Sequence, residues 1–146
     1  MIKGFHHSGI VVKNLENSIA FYKDVIGLKL SAFRERNGGL ISKIVGYPDV
    51  HLKVALLDLG NGHFLELIEY IEPQPKEIPT KQRAVIGASH IAFMVADISQ
   101  TLESIVKNGG IPLNEPVEFI PGRSGCYLQD PDGNWIELIE DHPNDR

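Results

Sequence analysis

The chain has 146 residues, 42% of them hydrophobic and 23% charged, with a formal net charge of −5. That length suits one compact unit or two small modules sharing a core, and an acidic balance without a basic stripe argues against nucleic-acid binding. The longest apolar run is far short of a membrane span; the opening MIKGFHHSGIVVKN has too short an apolar stretch for a signal peptide to be expected there, and a single cysteine excludes an internal disulfide, so a cytoplasmic location is expected.

In chain order, residues 6–13 read as a strand. Asn14 follows as a helix N-cap, its side-chain oxygen accepting from free backbone N–H groups. Leu15, Ile19, Tyr22 and Ile26 recur at helical spacing, and Gly27 can end that helix in a left-handed conformation. Extended segments follow near 28–36, 51–59 and 63–71. A glycine-containing stretch, NGGLISKIVGYPD (37–49), precedes the second of these, and Asn61-Gly62 is a turn signal before the third. EPQPKEIP, with prolines at 73, 75 and 79, reads as a stiff linker.

The second half repeats this order. A strand is expected over 89–96, with Asp97 as N-cap and Ile98, Leu102 and Ile105 at helical spacing. Gly110 is the helix stop. Extended segments follow near 112–119, 123–129 and 134–140, and DPDG at 130–133 is the last turn signal.

The two halves also resemble each other residue by residue. HSGIVVKNLENSIAFYKDVIG (7–27) aligns without a gap on HIAFMVADISQTLESIVKNGG (90–110), and GHFLELIE (62–69) on GNWIELIE (133–140). His7 thereby falls on His90, and Glu66 on Glu137. The histidines lie 83 residues apart and the glutamates 71, so the first half holds 12 extra residues, which we assign to 37–49. The fold class is therefore α+β, two tandem βαβββ modules over 1–72 and 89–146 with a linker over 73–88.

Side chains alternate faces along a strand. Ile10 and Val12, like Ile91, Phe93 and Val95, suit packing against the following helix, so His7 and His90 point to the opposite face. Glu66 shares a face with Phe64 and Ile68, and Glu137 with Trp135 and Ile139. A lone carboxylate on an apolar face costs several kcal/mol unless paired or neutralised. If the two such faces converge, they bring together two imidazoles and two carboxylates. A divalent cation would balance both negative charges, and this donor set suits Zn, Ni, Co, Mn or Fe. Taken singly, a strand histidine or glutamate is usually just solvated or hydrogen-bonded; His and Glu recurring together in both halves favours the metal. Glu69 and Glu140 alternate with the proposed ligands and are expected to face water.

HSGIVVKNLENSIAFYKDVIGL, GHFLELIE, HIAFMVADI and DPDGNWIELIE, in this order, closely resemble the vicinal oxygen chelate superfamily, which includes glyoxalase I, and the resemblance covers nearly the whole chain. It implies curved mixed sheets closing around a metal-binding cleft, with His7, Glu66, His90 and Glu137 as the four ligands of one divalent ion. The ligand quartet resembles glyoxalase I, whereas extradiol dioxygenases and fosfomycin-resistance enzymes of the superfamily use three ligands. Methylmalonyl-CoA epimerases commonly have glutamine at the position of Glu66, and bleomycin-binding relatives lack the metal set. One departure from glyoxalase I follows Glu66. The family's Thr-Tyr-Asn-Trp-like stretch, whose asparagine helps hold glutathione, is replaced here by LIEYIEP.

The resemblance implies a metal-dependent lyase or isomerase. The cation polarises adjacent substrate oxygens and acidifies the neighbouring C–H, and Glu66 or Glu137 serves as base. Phe64 and Trp135 are candidate apolar walls for a small-molecule substrate, Arg123 a candidate anion holder, and Tyr47 a candidate cover. His6, on the opposite face from His7, and His51, His63 and His142, without counterparts, are read as non-ligands, and Cys126 as a buried, inert thiol. Relatives are commonly homodimers. The alternatives are an epimerase, an Fe(II) dioxygenase that should tolerate Glu66→Gln, and a non-catalytic drug-binding protein that should bind fully after chelation.

Overall fold

The computed structural model describes residues 1–77 and 82–142; Pro79 of the linker lies outside them. The chain divides into two compact units, Met1–Glu77 and Ile78–Arg146.

The first unit begins with strand β1 (His7–Val11). Alternation holds here, because Ser8 and Ile10 are partly covered while His7, Gly9 and Val11 are exposed. Helix α1 (Leu15–Ala20) is capped by the Asn14 side chain, which accepts from the Asn17 N–H at 2.9 Å. The helix then widens into a π-turn over Phe21–Val25, closed by the Ile26 N–H on the Phe21 carbonyl. The wider turn rotates the apolar stripe, so Leu15, Ser18, Phe21 and Tyr22 are buried, and Ile19 and Ile26 are only half-buried. Gly27 ends it at φ +91°. Strand β2 (Lys29–Asn37) leads into the added stretch. That stretch is not a plain loop: Gly39–Val45 forms helix α2, bounded by Gly38 at φ +56° and Gly46 at φ +78°. Strands β3 (His51–Gly60) and β4 (His63–Glu72) form a hairpin around Asn61 and Gly62, both at positive φ. The sheet order is β1-β4-β3-β2, with β1 parallel to β4 and the other pairs antiparallel. Leu65 and Leu67 of β4 are fully buried, each contributing about 2 kcal/mol by leaving water.

The second unit repeats the plan. Strand β5 (Ile91–Met94) precedes helix α3 (Ile98–Lys107), capped by Asp97 accepting from the Gln100 N–H at 2.8 Å. Ile98, Leu102 and Ile105 are buried as the spacing predicts. The helix stop is displaced by one residue: Gly109 takes φ +96°, not Gly110. Gly110 serves another purpose, since a Cβ there would collide with Ile105. The extended segment expected near 112–119 splits into β6 (Ile111–Pro112) and β7 (Val117–Ile120), both antiparallel to β8 (Arg123–Gln129). Strand β9 (Trp135–Asp141) completes a sheet of order β5-β9-β8-β6. The DPDG turn is built on Asp130, whose carboxylate accepts the N–H groups of Asp132 and Asn134. Among the described residues no helix is long and apolar enough to cross a membrane.

Candidate metal centre

In the first sheet two rungs carry the candidate ligands, whereas in the second His90 lies just before β5 and only Glu137 is on a rung. In the first unit, parallel pairing sets Gly9 of β1 beside Glu66 of β4, two residues along from His7. A Cβ at Gly9 would lie 3.3 Å from Glu66 Oε2, so the glycine leaves room for the carboxylate to lean towards His7. His7 Nε2 and Glu66 Oε2 stand 3.2 Å apart. In the second unit Ala92 takes the place of Gly9 beside Glu137, and His90 Nε2 stands 3.0 Å from Glu137 Oε2. Both carboxylates are the more sheltered partners, at 22% and 19% side-chain exposure.

These distances fit a shared cation. Two donor atoms about 2.1 Å from one ion and at right angles to each other lie about 3 Å apart. Each unit supplies one nitrogen and one oxygen donor at that spacing. Within each unit the cluster stops at the pair; among the described residues no group of three or more metal-holding side chains is formed.

The surroundings of the two pairs differ. His6 lies before β1 begins, so strand alternation does not send it to the far face as the sequence suggests. Its Nδ1 instead shares a 2.7 Å hydrogen bond with His7 Nδ1, leaving His7 Nε2 turned to Glu66. Opposite Glu66 on β3 is Leu56, whereas Tyr127 of β8 is opposite Glu137. The Tyr127 hydroxyl donates to Glu137 Oε2 at 3.1 Å and lies 3.2 Å from His90 Nε2. Partial burial and the Glu137 hydrogen bond both raise the Tyr127 pKa, so the hydroxyl stays protonated and donating at neutral pH. Tyr127 is missed by the sequence reading, although the register across the DPDG hairpin places it opposite Glu137. Arg83, in the linker, carried no such signal. Its guanidinium carbon sits 4.5 Å from the Tyr127 ring centroid and 5.1 Å from that of Trp135.

The other candidates fall as follows. Phe64 packs against the His6 ring with centroids 5.5 Å apart. Arg123 is tied to Asp141 through two hydrogen bonds, one of them 3.0 Å, which raises the arginine's pKa and lowers that of Asp141. Tyr47 stacks edge-on against Tyr70 at 6.0 Å, on the same face of β4 as Glu66. His51 pairs with Glu35, and His142 contacts Ser124 and Glu140. His63 meets the Phe5 ring edge-on. Cys126 is buried, and burial pushes its thiol up to about 11. Glu69 and Glu140 do not simply face water as expected. They lie on the helix-packed faces, where Glu69 accepts from the Leu15 N–H and Glu140 from the Ile98 N–H.

Two units of this order, each presenting one imidazole and one carboxylate, define a duplicated βαβββ protein of the vicinal-oxygen-chelate type. Residues 4–138 match the model of the Glyoxalase/Bleomycin resistance protein/Dioxygenase superfamily, and the chain belongs to that superfamily. It is 30% identical over 135 residues to a probable lactoylglutathione lyase of Synechocystis, covering 92% of each chain. It is 28% identical over 143 residues to a 2-epi-5-epi-valiolone epimerase of Actinomyces, covering 92% of this chain and 77% of that one. A glyoxalase family protein from Bacillus cereus superposes with a TM-score of 0.85 at 24% identity, covering 98% and 97% of the two chains.

Proposed function

We propose that His7, Glu66, His90 and Glu137 together hold one divalent metal ion, and that the chain is a glyoxalase-I-like lyase or isomerase acting on a small carbonyl substrate. The observation that carries this reading is the matched His–Glu pair in each unit, at 3.2 and 3.0 Å. The reading requires the two pairs to meet, within one chain or between two copies in a homodimer. Zn, Ni, Co, Mn and Fe all suit two imidazoles and two carboxylates.

When bound, the ion supplies Lewis acidity towards two adjacent substrate oxygens. The residues do the rest. Glu66 or Glu137 takes the proton from the carbon beside the carbonyl and delivers it to the neighbouring carbon. Tyr127, already donating to Glu137, holds that carboxylate in place. Phe64 and Trp135 exclude water from the apolar side.

An epimerase needs the same abstraction with return to the opposite face, and the Actinomyces relative supports it as the second reading. The test is a metal-reconstituted screen of a methylglyoxal hemithioacetal, a 2-methyl acyl thioester and a catechol. Product from the first, abolished by chelation, is the expected result. Turnover of the second alone supports the epimerase. Oxygen consumption with the catechol overturns the proposal.

A further inference from the structure

The duplicated halves share the histidine, the glutamate and the helix caps. Among the features they do not share, three residues sit around Glu137. Tyr127 replaces Leu56 at the cross-strand position, Trp135 replaces Phe64 two residues before the glutamate, and Arg83 lies over both rings. A function common to both halves does not need these three residues, so they serve something done on one side only.

We propose that Arg83, held on Tyr127 and Trp135, is an oxyanion receptor beside the His90–Glu137 pair, and that the substrate is an acid bearing a carboxylate or phosphoryl group. The inference rests on the proposed role of that pair as half of the active centre. The chemistry of the guanidinium supports it. Stacking on aromatic faces uses the flat surface of the group and leaves its N–H edge free for a bidentate oxyanion. Arg83 is exposed and so within reach of a ligand. The other described arginines already have oxygen partners: Arg34 donates to the Phe33 carbonyl, Arg36 to the Glu35 carbonyl, and Arg123 to Asp141. Among the described residues no carboxylate or carbonyl accepts from Arg83. The ring beneath it is that of Tyr127, whose hydroxyl reaches both His90 and Glu137, so an anion on Arg83 stands one residue's breadth from the reacting groups. Arg83 is then a specificity residue: it anchors the charged end of the substrate while the ion-binding pair faces the carbonyl.

Trp135 is the chain's single tryptophan, so its emission reports on this clamp alone. The full chain, as purified and again after EDTA treatment, is titrated with acetate and with inorganic phosphate against chloride at matched ionic strength. A saturable change in emission with acetate, phosphate or both, absent with chloride, is expected. The anion that responds identifies the carboxylate or the phosphoryl class. R83Q should weaken the response at least tenfold and R83K less. Both should keep the wild-type affinity for Mn(II), measured separately. An unchanged titration in R83Q, no response to either anion in the parent protein, or loss of Mn(II) affinity in both variants overturns the assignment. If the parent protein binds none of Mn(II), Zn, Ni, Co and Fe(II), the metal-centre reading fails instead, and the anion titration of the EDTA-treated chain still decides the role of Arg83.

Discussion

The Glu69 carboxylate accepts a hydrogen bond from the Leu15 N–H at 2.8 Å, tying strand β4 to the first turn of helix α1, 54 residues earlier in the chain. Glu140 does the same for Ile98 at 2.7 Å, tying β9 to α3. The first N–H groups of a helix have no partner within it, and a negative charge is favourable there. Asn14 and Asp97 reach only the third residue of the first turn, Asn17 and Gln100, so the strand glutamates add a partner for the first. Glu69→Ala and Glu140→Ala should each destabilise the fold by about 1.5–3 kcal/mol, the worth of a hydrogen bond to a charged group. Metal affinity should be unchanged. Urea unfolding alongside Mn(II) titration separates the two effects, and a loss of metal affinity at wild-type stability would contradict the assignment.

The echo LELIE thus contains two glutamates with different duties, and the sequence distinguishes their faces but not their tasks. Period-two alternation separates Glu66 from Glu69 without showing that Glu69 lies under a helix end, because that contact joins segments far apart in the chain. The duplicated elements were legible for the opposite reason: caps, helical spacing and hairpin turns are local. Departures arise where packing overrides the local signal. Phe21–Val25 widens into a π-turn, and Gly109 takes the left-handed role because Gly110 must admit Ile105. Residues 39–45 form a helix between glycines with none of its residues buried, so packing does not account for it. Arg83 was invisible because a linker has no periodicity against which a cation–π contact stands out.

Gly110 offers a direct test of such packing. Its φ is ordinary, so alanine there brings no backbone strain, only a methyl group driven into Ile105 and against the Ile105 and Gln129 carbonyls. Overpacking of this kind costs about 1–3 kcal/mol. Gly110→Ala should lower the thermal midpoint, whereas Gly109→Ala should act through its φ of +96°. Combining Gly110→Ala with Ile105→Leu, which removes the Cγ2 methyl that a Cβ at position 110 would meet, should recover part of the loss, and a double-mutant cycle showing no coupling would refute the steric account.

Cys126 sets a prediction in pH. Burial raises its thiol from the ordinary 9.0 to about 11, so the folded chain favours the neutral form. Its contribution to stability is fully present below pH 9 and declines as the pH rises towards 11. The thiolate is the reactive species. Alkylation by iodoacetamide at pH 8 should therefore be far slower than for a small-molecule thiol and should accelerate in denaturant. Rapid labelling of the folded chain at pH 8 would show the thiol to be accessible after all.

The metal reading makes a thermodynamic prediction that does not depend on the substrate. An ion that binds only the folded chain stabilises it, by about 2.7 kcal/mol at 100 times its dissociation constant. For a chain of this length that is a rise of about 8 °C in thermal midpoint. Glu66→Gln and Glu137→Gln each remove a charged donor but keep the shape of the side chain. If either weakens binding 100-fold, the stabilisation at the same ion concentration falls to about 0.4 kcal/mol. Both variants should retain the metal-free midpoint of the parent chain and lose most of the rise with Mn(II) or Zn. The two should not be equivalent, because Glu137 keeps the Tyr127 hydroxyl as a partner while Glu66 faces Leu56 across the strand. Tyr127→Phe should therefore reduce the rise in the parent chain and in Glu66→Gln, but have little further effect in Glu137→Gln. Equal rises in all six proteins would mean that the paired imidazoles and carboxylates hold no ion.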